Sequence, residues 1–365
     1  MPEDIHPVHP MLTNIRALAD PSTWQKSIDL AEGALSSWSK TPPAFKRIYL
    51  VGHGSSLYNS QVGEYILEHI AGIPSKAVPA FAFSTYLEQK LLDSQTLVIG
   101  ISTTGGTQSV CEALEYARRA GSSTLAITAH KDSAISYYAE AVILTGGEDD
   151  QISVKTKSYV QALIPIYILA VHMVGDQQLK SYWLNQINLA AQGAQRFLQE
   201  QWSQIKQLAE IYASAPNVFV LGTGPNLGTA EEASLKVIEM AKMYSECQEL
   251  EDFFHGRLRE VDQNSPLFFI APNGRASRRV LDFLTVMDMI QAPSIVITDQ
   301  VNPGIQRLAT QVINIPVSLD EFATPLLYVL PMHIFGYEMA LQRGYDPTAR
   351  RYNIVPQNVR YEEEG

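Results

Sequence analysis

Four side chains of this sequence have the types and the spacing that acid/base chemistry requires. Glu232, Lys236 and Glu239 are four and three residues apart, and His255 follows sixteen residues after Glu239. Residues at i, i+4 and i+7 lie on one face of a helix, so two carboxylates and an ammonium project together. Carboxylates and histidines are the usual general acids and bases of enzymes. We therefore predict an acid/base site on this helix.

Each of these residues also has an ordinary structural explanation. A glutamate and a lysine four residues apart most often form a solvated ion pair worth a few tenths of a kcal/mol. His255 follows two phenylalanines and is equally compatible with a structural histidine. Taken one residue at a time, the sequence leaves both explanations open.

Two loops rich in hydroxyl groups follow two apolar runs. They are Gly54-Ser55-Ser56 and Ser102-Thr103-Thr104-Gly105-Gly106-Thr107. Hydroxyls, glycines and free N–H groups at helix N-termini are what a phosphate monoester needs. Serine and threonine also cap helices without binding any ligand. Because two such loops occur at adjacent strand ends, we predict a phosphate site.

Apolar runs recur along the chain at a constant offset of 170 residues. The paired runs are 48–51 and 218–221, 97–99 and 267–269, 125–128 and 295–298, and 142–143 and 312–313. Segments with helical periodicity lie between them, which is typical of βαβ units on a buried parallel sheet. We predict an α/β fold of two tandem, doubly wound parallel-sheet domains that arose by duplication.

The duplication sets the predicted boundaries. We expect an N-terminal arm over residues 1–30, a first domain over 31–190, a second domain over 191–344 and a tail over 345–365. The tail is rich in polar and turn-forming residues, so we expect it to run extended over the surface.

The two halves differ where ligands bind in open parallel sheets, beyond the carboxyl ends of the strands. The loop 272–277 of the second half has fewer hydroxyls than the loop 102–107. Conversely, Glu232, Lys236 and Glu239 correspond to Val62, Ile66 and His69, which are not an acid/base set. We predict that the first half binds an anion and the second supplies acid/base chemistry.

The composition excludes several classes of protein. Nucleic-acid binding depends on neutralising phosphates with lysine and arginine, and this chain of 365 residues has a net charge of −11, so we predict no nucleic-acid partner. The N-terminus has no secretory signal pattern, and the longest apolar run, 162–175, is too short to cross a bilayer. We predict a cytoplasmic protein without a membrane partner.

No metal or cofactor is predicted. The two cysteines, Cys111 and Cys247, have no metal-ligand spacing. The glycines of the segment 222–228 are spaced wrongly for a dinucleotide fingerprint, and no carboxylate ends the next strand.

From about residue 45 to 360 the sequence resembles the tandem sugar isomerase (SIS) domain family. It is similar to the isomerase half of glucosamine-6-phosphate synthase and to the fructosamine-6-phosphate deglycases. The segment 102–107 stands where that family has Ser-Gln-Ser-Gly-Glu-Thr, and Thr156-Lys157 matches its Ser-Thr-Lys segment. The segment 232–239 fits Glu-x-x-x-Lys-x-x-Glu, and 255–258 resembles His-Gly-Pro-Leu at the same distance.

The resemblance implies how the substrate is held. Ser102, Thr103, Thr104 and Thr107 would bind the phosphate of a small-molecule sugar phosphate together with Ser56 of the first loop. The sugar pocket would be shaped by four further residues, which are Gly54, Ser55, Thr156 and Lys157.

The resemblance also implies catalytic roles. Glu239 would move the proton between C1 and C2 of an open-chain sugar phosphate, with Glu232 and Lys236 as supports. His255 would open the sugar ring, and in this family it commonly comes from the neighbouring subunit. A homodimer with a shared active site is therefore expected.

Two departures from the family pattern guide the choice of reaction. The chain begins Met1-Pro2 without a glutamine-hydrolysing domain, so we expect no release of ammonia from glutamine. The synthase uses a tail lysine in Asn-Leu-Ala-Lys, where this chain has Asn-Ile-Val-Pro at 353–356, and no lysine follows Lys242. We expect the substrate to bring its own nitrogen, as a 6-phosphorylated ketosamine (Amadori compound) does, and the enzyme to be a deglycase.

Two alternatives stay open. The first is a deaminase or isomerase that acts on glucosamine 6-phosphate or fructose 6-phosphate. The second is a sugar-phosphate sensor without turnover, against which stand the intact Glu239 and His255. Arg350, Arg351 and Arg360 are candidates to receive the carboxylate of an amino-acid leaving group, although solvated arginines are the commoner case.

Overall fold

The structure is a computed structural model that describes residues 9–38, 45–147 and 152–352. Arg360 and the segment 353–356, on which the sequence comparison of the tail rests, lie outside the described residues.

Strands and helices alternate along both halves of the chain. The strands are β1 Arg47–Gly52, β2 Ser75–Pro79, β3 Thr96–Ile101, β4 Ser123–Thr128, β5 Ala141–Leu144, β6 Asn217–Gly222, β7 Tyr244–Glu249, β8 Leu267–Ile270, β9 Ser294–Thr298 and β10 Gln311–Asn314. The helices are α1 Pro10–Arg16, α2 Pro21–Ser37, α3 Ser55–Ala71, α4 Ala80–Tyr86, α5 Gln108–Arg119, α6 Lys157–Val174, α7 Gln177–Glu200, α8 Trp202–Ile211, α9 Asn226–Ala241, α10 Leu250–Phe254, α11 Ser277–Ile290, α12 Pro303–Leu308, α13 Pro325–Tyr328 and α14 Leu330–Gln342.

The strands form two five-stranded parallel sheets with the same topology. The orders are β2-β1-β3-β4-β5 and β10-β9-β8-β6-β7. All strands are parallel, and the strand order reverses between β1 and β3 in the first sheet and between β6 and β8 in the second. Every residue of β3, β4, β8 and β9 is buried, as expected for parallel strands covered by helices on both faces. The predicted tandem, doubly wound α/β fold is confirmed.

The ends of several helices follow directly from the sequence. Asp20, Asp176 and Asn302 accept hydrogen bonds from backbone N–H groups in the first turns of α2, α7 and α12. Gly72 and Gly175 end α3 and α6 in the left-handed conformation, with φ of 67° and 72°. Local residue choices therefore fix where these elements begin and end.

The predicted domain boundaries fall within regular structure. The boundary at residue 30 lies inside α2, and the boundary at residue 190 lies inside α7. Helix α2 packs against α6 and β5, so part of the predicted arm covers the first sheet.

Helix α6 is eighteen residues long and apolar enough to cross a membrane by length and composition alone. It extends the apolar run that the sequence shows, and most of it is buried inside the protein. Core helices meet the same criterion when they pack between other elements.

The two halves share a continuous core through α3 and α9. One cluster of buried apolar side chains includes Val62 on α3, Ile166 on α6 and Val237 on α9. At Gly228 the two helices approach so closely that a Cβ atom would lie 2.6 Å from the carbonyl oxygen of Tyr58. Glycine at this position therefore permits the packing of one half on the other.

We predict that Gly228→Ala lowers the free energy of unfolding by about 1–3 kcal/mol, because the added methyl group meets backbone that cannot move aside. Chemical denaturation of both proteins measures the difference. Gly33→Ala in α2 is the control, since a Cβ there meets nothing within 4 Å and should stabilise the helix by about 0.5–1 kcal/mol. Equal effects of the two substitutions would contradict the importance of this close approach.

Candidate active site

The loop after β3 gathers hydroxyl groups around a sharp turn. The Ser102 Oγ and Thr107 Oγ1 atoms are 3.0 Å apart, and the Gly105 N–H donates to Ser102 Oγ at 3.1 Å. Thr107 is the residue before the first turn of α5, and Thr103 and Thr104 lie between. The predicted phosphate ligands of this loop therefore lie together at a helix N-terminus, where anions are favoured.

Gly105 is required by the shape of this loop. Its φ of 66° is in the left-handed region, and a Cβ at this position would collide with the Ser133 hydroxyl. The turn that presents the Ser102 and Thr107 hydroxyls thus depends on a residue without a side chain.

The second predicted loop adjoins the first. β1 and β3 are neighbours, with Val51 opposite Gly100, so the loops that follow them lie at the same edge of the sheet. Gly54, with φ of 52°, precedes α3, and Ser55 and Ser56 form the first turn of this helix. This edge is the point where the strand order reverses, which is the usual ligand position in such sheets.

The corresponding loops of the second half are filled by carboxylates of the protein itself. Asp299 accepts from the Asn273 N–H at 2.8 Å, and Glu321 accepts from the Arg275 N–H at 3.1 Å. Glu249 ends β7, so the prediction that no carboxylate ends this strand is wrong, and it accepts from the hydroxyl group of Thr223 at 2.6 Å. These acidic side chains would repel a phosphate at the loops of the second half.

The acid/base residues form a row of contacting side chains that begins inside the protein. Lys236 Nζ donates to Glu239 Oε2 at 2.6 Å and to the Ser55 hydroxyl at 3.1 Å, and it lies 3.3 Å from Glu232 Oε1. The side chains of Lys236 and Glu232 are 1% and 0% exposed. This pair is therefore not the solvated surface pair that the spacing alone also allows.

Lys236 is held as an ammonium ion. Its burial disfavours the charge, but the carboxylates of Glu232 and Glu239 outweigh this effect and raise the pKa of Lys236 above its ordinary value. Glu239, by contrast, is 33% exposed at the outer end of this row of side chains. A solvent-accessible carboxylate fixed by a permanent cation is suited to proton transfer with a bound molecule.

His255 lies apart from this row of side chains. Its side chain is 73% exposed, and Nε2 lies 3.4 Å from Glu251, which also pairs with Arg279 at 2.6 Å. The structure thus places His255 on the surface, beside Glu251.

The other two predicted pocket residues lie at the start of α6. Thr156 is buried, and its hydroxyl points to the sulfur of Met11 at 3.9 Å. Lys157 is the first residue of the helix and is half-buried.

His333 on α14 is a residue of this region that the sequence analysis missed. It is fully buried, and its Nε2 lies 3.6 Å from Glu232 Oε1. The signal was a single titratable residue in an otherwise apolar stretch, two positions after Pro331, where the first half has Tyr167 two positions after Pro165. Within the described ranges, no three His, Cys, Asp or Glu side chains are grouped to hold a metal.

The fold and the site define a tandem α/β protein with a hydroxyl-lined loop in one half and a row of acid/base side chains in the other. A family model described as SIS domain matches residues 45–172 and 211–343. Since these segments cover most of the chain, the protein belongs to the SIS domain family.

Its relatives in sequence include enzymes named glutamine–fructose-6-phosphate aminotransferase (isomerizing). The protein from Tropheryma whipplei is 28% identical over 312 residues, which are 83% of this chain and 50% of the relative. The protein from Gloeobacter violaceus is 28% identical over 307 residues, 82% of this chain and 50% of the relative. The chain thus spans about half the length of these relatives.

Solved structures share the fold at low sequence identity. The C-terminal domain of glucosamine-fructose-6-phosphate aminotransferase from Francisella tularensis has a TM-score of 0.80 at 20% identity and covers 96% of this chain and 100% of its own. Tagatose-6-phosphate ketose/aldose isomerase from Escherichia coli has a TM-score of 0.78 at 21% identity and covers 98% of this chain and 100% of its own. Glucosamine-6-phosphate deaminase from Thermotoga maritima has a TM-score of 0.74 at 21% identity and covers 93% of this chain and 96% of its own.

We predict that Lys236→Ile lowers the free energy of unfolding by about 3–5 kcal/mol, because it leaves the Glu232 carboxylate buried without its cation. The double variant Glu232→Val, Lys236→Ile copies Val62 and Ile66 of the first half and should recover most of that loss. Urea denaturation of the three proteins tests both expectations. A double variant as unstable as the single one would show that the buried pair is not the cause.

Proposed function

We propose that the protein is a sugar-phosphate enzyme, a deglycase that cleaves a 6-phosphorylated ketosamine into a hexose 6-phosphate and a free amine. The observation that carries this proposal is the contact of Lys236 with both Glu239 and Ser55. Through it, the candidate base of the second half is attached to the loop that adjoins the candidate phosphate site of the first half. A sugar phosphate bound there would reach from one to the other.

The proposed reaction is a proton transfer followed by hydrolysis. Glu239 takes a proton from C1 of the open-chain substrate, whose C–H electron pair forms the C1–C2 double bond while the C2 oxygen gains a proton, which gives an enaminol. Protonated Glu239 returns the proton to C2, the nitrogen becomes an imine at C1, and the C2 hydroxyl remains. Water adds to C1, and the C1–N bond breaks with its electron pair and a proton leaving on the amine.

The proposal that the nitrogen comes with the substrate has two supports. In the resemblance to the synthase, Pro356 stands where the synthase has the lysine that acts on the sugar carbonyl. Lys236 cannot replace that lysine as a nucleophile, because its two carboxylate neighbours raise its pKa and keep it protonated. An amine already attached at C1 removes the need for either.

The decisive experiment is a panel of phosphorylated substrates assayed for hexose 6-phosphate and for released amine. We expect amine release from 6-phosphofructosyl amino acids, and a loss of about 10²–10⁴-fold in kcat for Glu239→Gln, which keeps the shape and removes the base. Glu64→Gln, on the equivalent helix of the other half, is the control and should retain activity.

Other outcomes of this panel would assign the alternatives. Ammonia release from glucosamine 6-phosphate would indicate a deaminase, and interconversion of aldose and ketose phosphates an isomerase. Binding of sugar phosphates without any turnover would indicate a sensor. Unchanged activity of Glu239→Gln would reject Glu239 as the base in every case.

We further propose that the protein acts as a homodimer in which His255 completes the partner's site. The exposure of His255, which pairs with Glu251 on the surface, supports this arrangement. Glu251, fixed by Arg279, would hold the imidazole in a defined orientation at the surface.

Complementation tests the shared site. Glu239→Gln and His255→Ala should each be inactive, whereas co-refolded mixtures should regain about a quarter of the wild-type activity, because half of the dimers are mixed and each mixed dimer has one intact site. Differently tagged subunits and mass measurement would verify the mixed dimers. Mixed dimers without activity, or a monomer in sedimentation, would contradict the proposal.

A further inference from the structure

His333 is an ionisable side chain in the first turn of α14, where the other residues are apolar. Its neighbours in the sequence, Met332 and Ile334, are fully buried core residues, and His333 itself is 0% exposed. Neither ring nitrogen has a hydrogen-bond partner among the residues that the structure describes. Burying an imidazole without a partner costs free energy, so its placement requires an explanation beyond packing.

The nearest charged group to the ring is the Glu232 carboxylate, at 3.6 Å from Nε2. Glu232 in turn lies 3.3 Å from Lys236, which donates to Glu239. The four side chains thus form one line from the interior of α14 to the exposed Glu239. Both carboxylate oxygens of Glu232 also lack a hydrogen-bond partner among the described residues, so the imidazole faces an unsatisfied acceptor.

The first half shows what this region contains when it has no acid/base role. Val62 and Ile66 occupy the positions of Glu232 and Lys236 and are fully buried. Tyr167 corresponds to His333, and its hydroxyl donates to the carbonyl oxygen of Phe322 at 2.6 Å. Apolar residues and a satisfied tyrosine therefore suffice for the fold, and the ionisable line is specific to the half that carries Glu239.

The surroundings decide the charge of the imidazole. The titratable groups that face it are Glu232, Lys236 and Glu239 on α9 and the Tyr159 ring on α6, whose centroid is 6.4 Å away. Burial lowers the pKa of His333 below its ordinary value, which outweighs the attraction of Glu232. The ring is therefore neutral at neutral pH and carries a single N–H that can donate to one acceptor.

We propose that His333 is a positioning residue for Glu239. Its neutral imidazole offers the Nε2 N–H to Glu232 and holds that carboxylate in place, so that Lys236 stays anchored between Glu232 and Glu239. Without this donor, Glu232 has one partner fewer and holds Lys236 less firmly. This inference rests on the proposed function only for its effect on catalysis, since the contact between His333 and Glu232 is a property of the protein alone.

The test compares His333→Leu, which removes the donor, with His333→Gln, which keeps an N–H donor of similar reach. We expect His333→Leu to lower kcat by at least about tenfold with KM within about threefold, and to move the acid limb of the pH profile of kcat/KM to higher pH. His333→Gln should stay within about threefold of wild type. His172→Gln, a half-buried histidine on α6, is the matched control and should behave as wild type.

A second measurement does not depend on turnover. Carboxyl ¹³C resonances of labelled protein, with Glu232 identified through Glu232→Gln, report the hydrogen bonding of this carboxylate directly. At neutral pH the Glu232 resonance should be displaced in His333→Leu relative to wild type, whereas His333→Gln should keep the wild-type position. If wild type turns over no sugar phosphate but this shift appears, the proposed function fails and the role of His333 stands.

Two results would overturn the inference. An unchanged Glu232 resonance in a folded His333→Leu protein would show that His333 donates nothing to this carboxylate. Equal impairment of the leucine and glutamine variants, at every pH, would show that His333 only fills space.

Discussion

The structure depends on one buried cation. The Lys236 ammonium lies inside the protein, where an unpaired charge would cost several kcal/mol, and it is stable there because Glu232, Glu239 and Ser55 surround it. Two of these partners come from its own helix, and the third comes from the other half of the molecule. The ammonium is therefore satisfied only when α9 packs closely on α3, a packing that Gly228 permits. The position of the candidate base and the association of the two halves thus have the same physical cause.

Duplication supplied two equivalent frameworks, and side-chain replacement gave them different roles. In the second half, the Asp299 and Glu249 carboxylates accept hydrogen bonds from donors of the loops, so these loops already hold negative charge. In the first half, Ala129 and Pro79 stand at the corresponding positions, so neither position carries a carboxylate. The opposite change affected the helices, where charged residues of α9 replace apolar residues of α3. Each half therefore carries one of these two features.

The sequence was sufficient for the architecture because the signals were repeated. Apolar runs at a constant offset predicted both sheets, and helical spacing correctly placed Glu232, Lys236 and Glu239 on one face. The environment of that face was not predictable, because spacing defines which side chains point together but not what packs against them. The burial of Lys236 and the contact of His333 with Glu232 depend on the approach of α14, which is distant in sequence. The contact of Thr156 with Met11 likewise depends on how the N-terminal helix folds back.

The position of Lys236 also bears on why the proposed site is divided between the halves. The substrate would bring a phosphate with about two negative charges close to a base that must itself be negative, and the two would repel each other in a poorly screened site. Lys236 contacts both Ser55, in the loop beside the phosphate site, and Glu239. It is thus placed to offset both charges, while the N-terminal ends of α3 and α5 favour the phosphate further. A site built within one half would lack this shared cation, because the hydroxyl-lined loops and the charged helix belong to different copies of the duplicated fold.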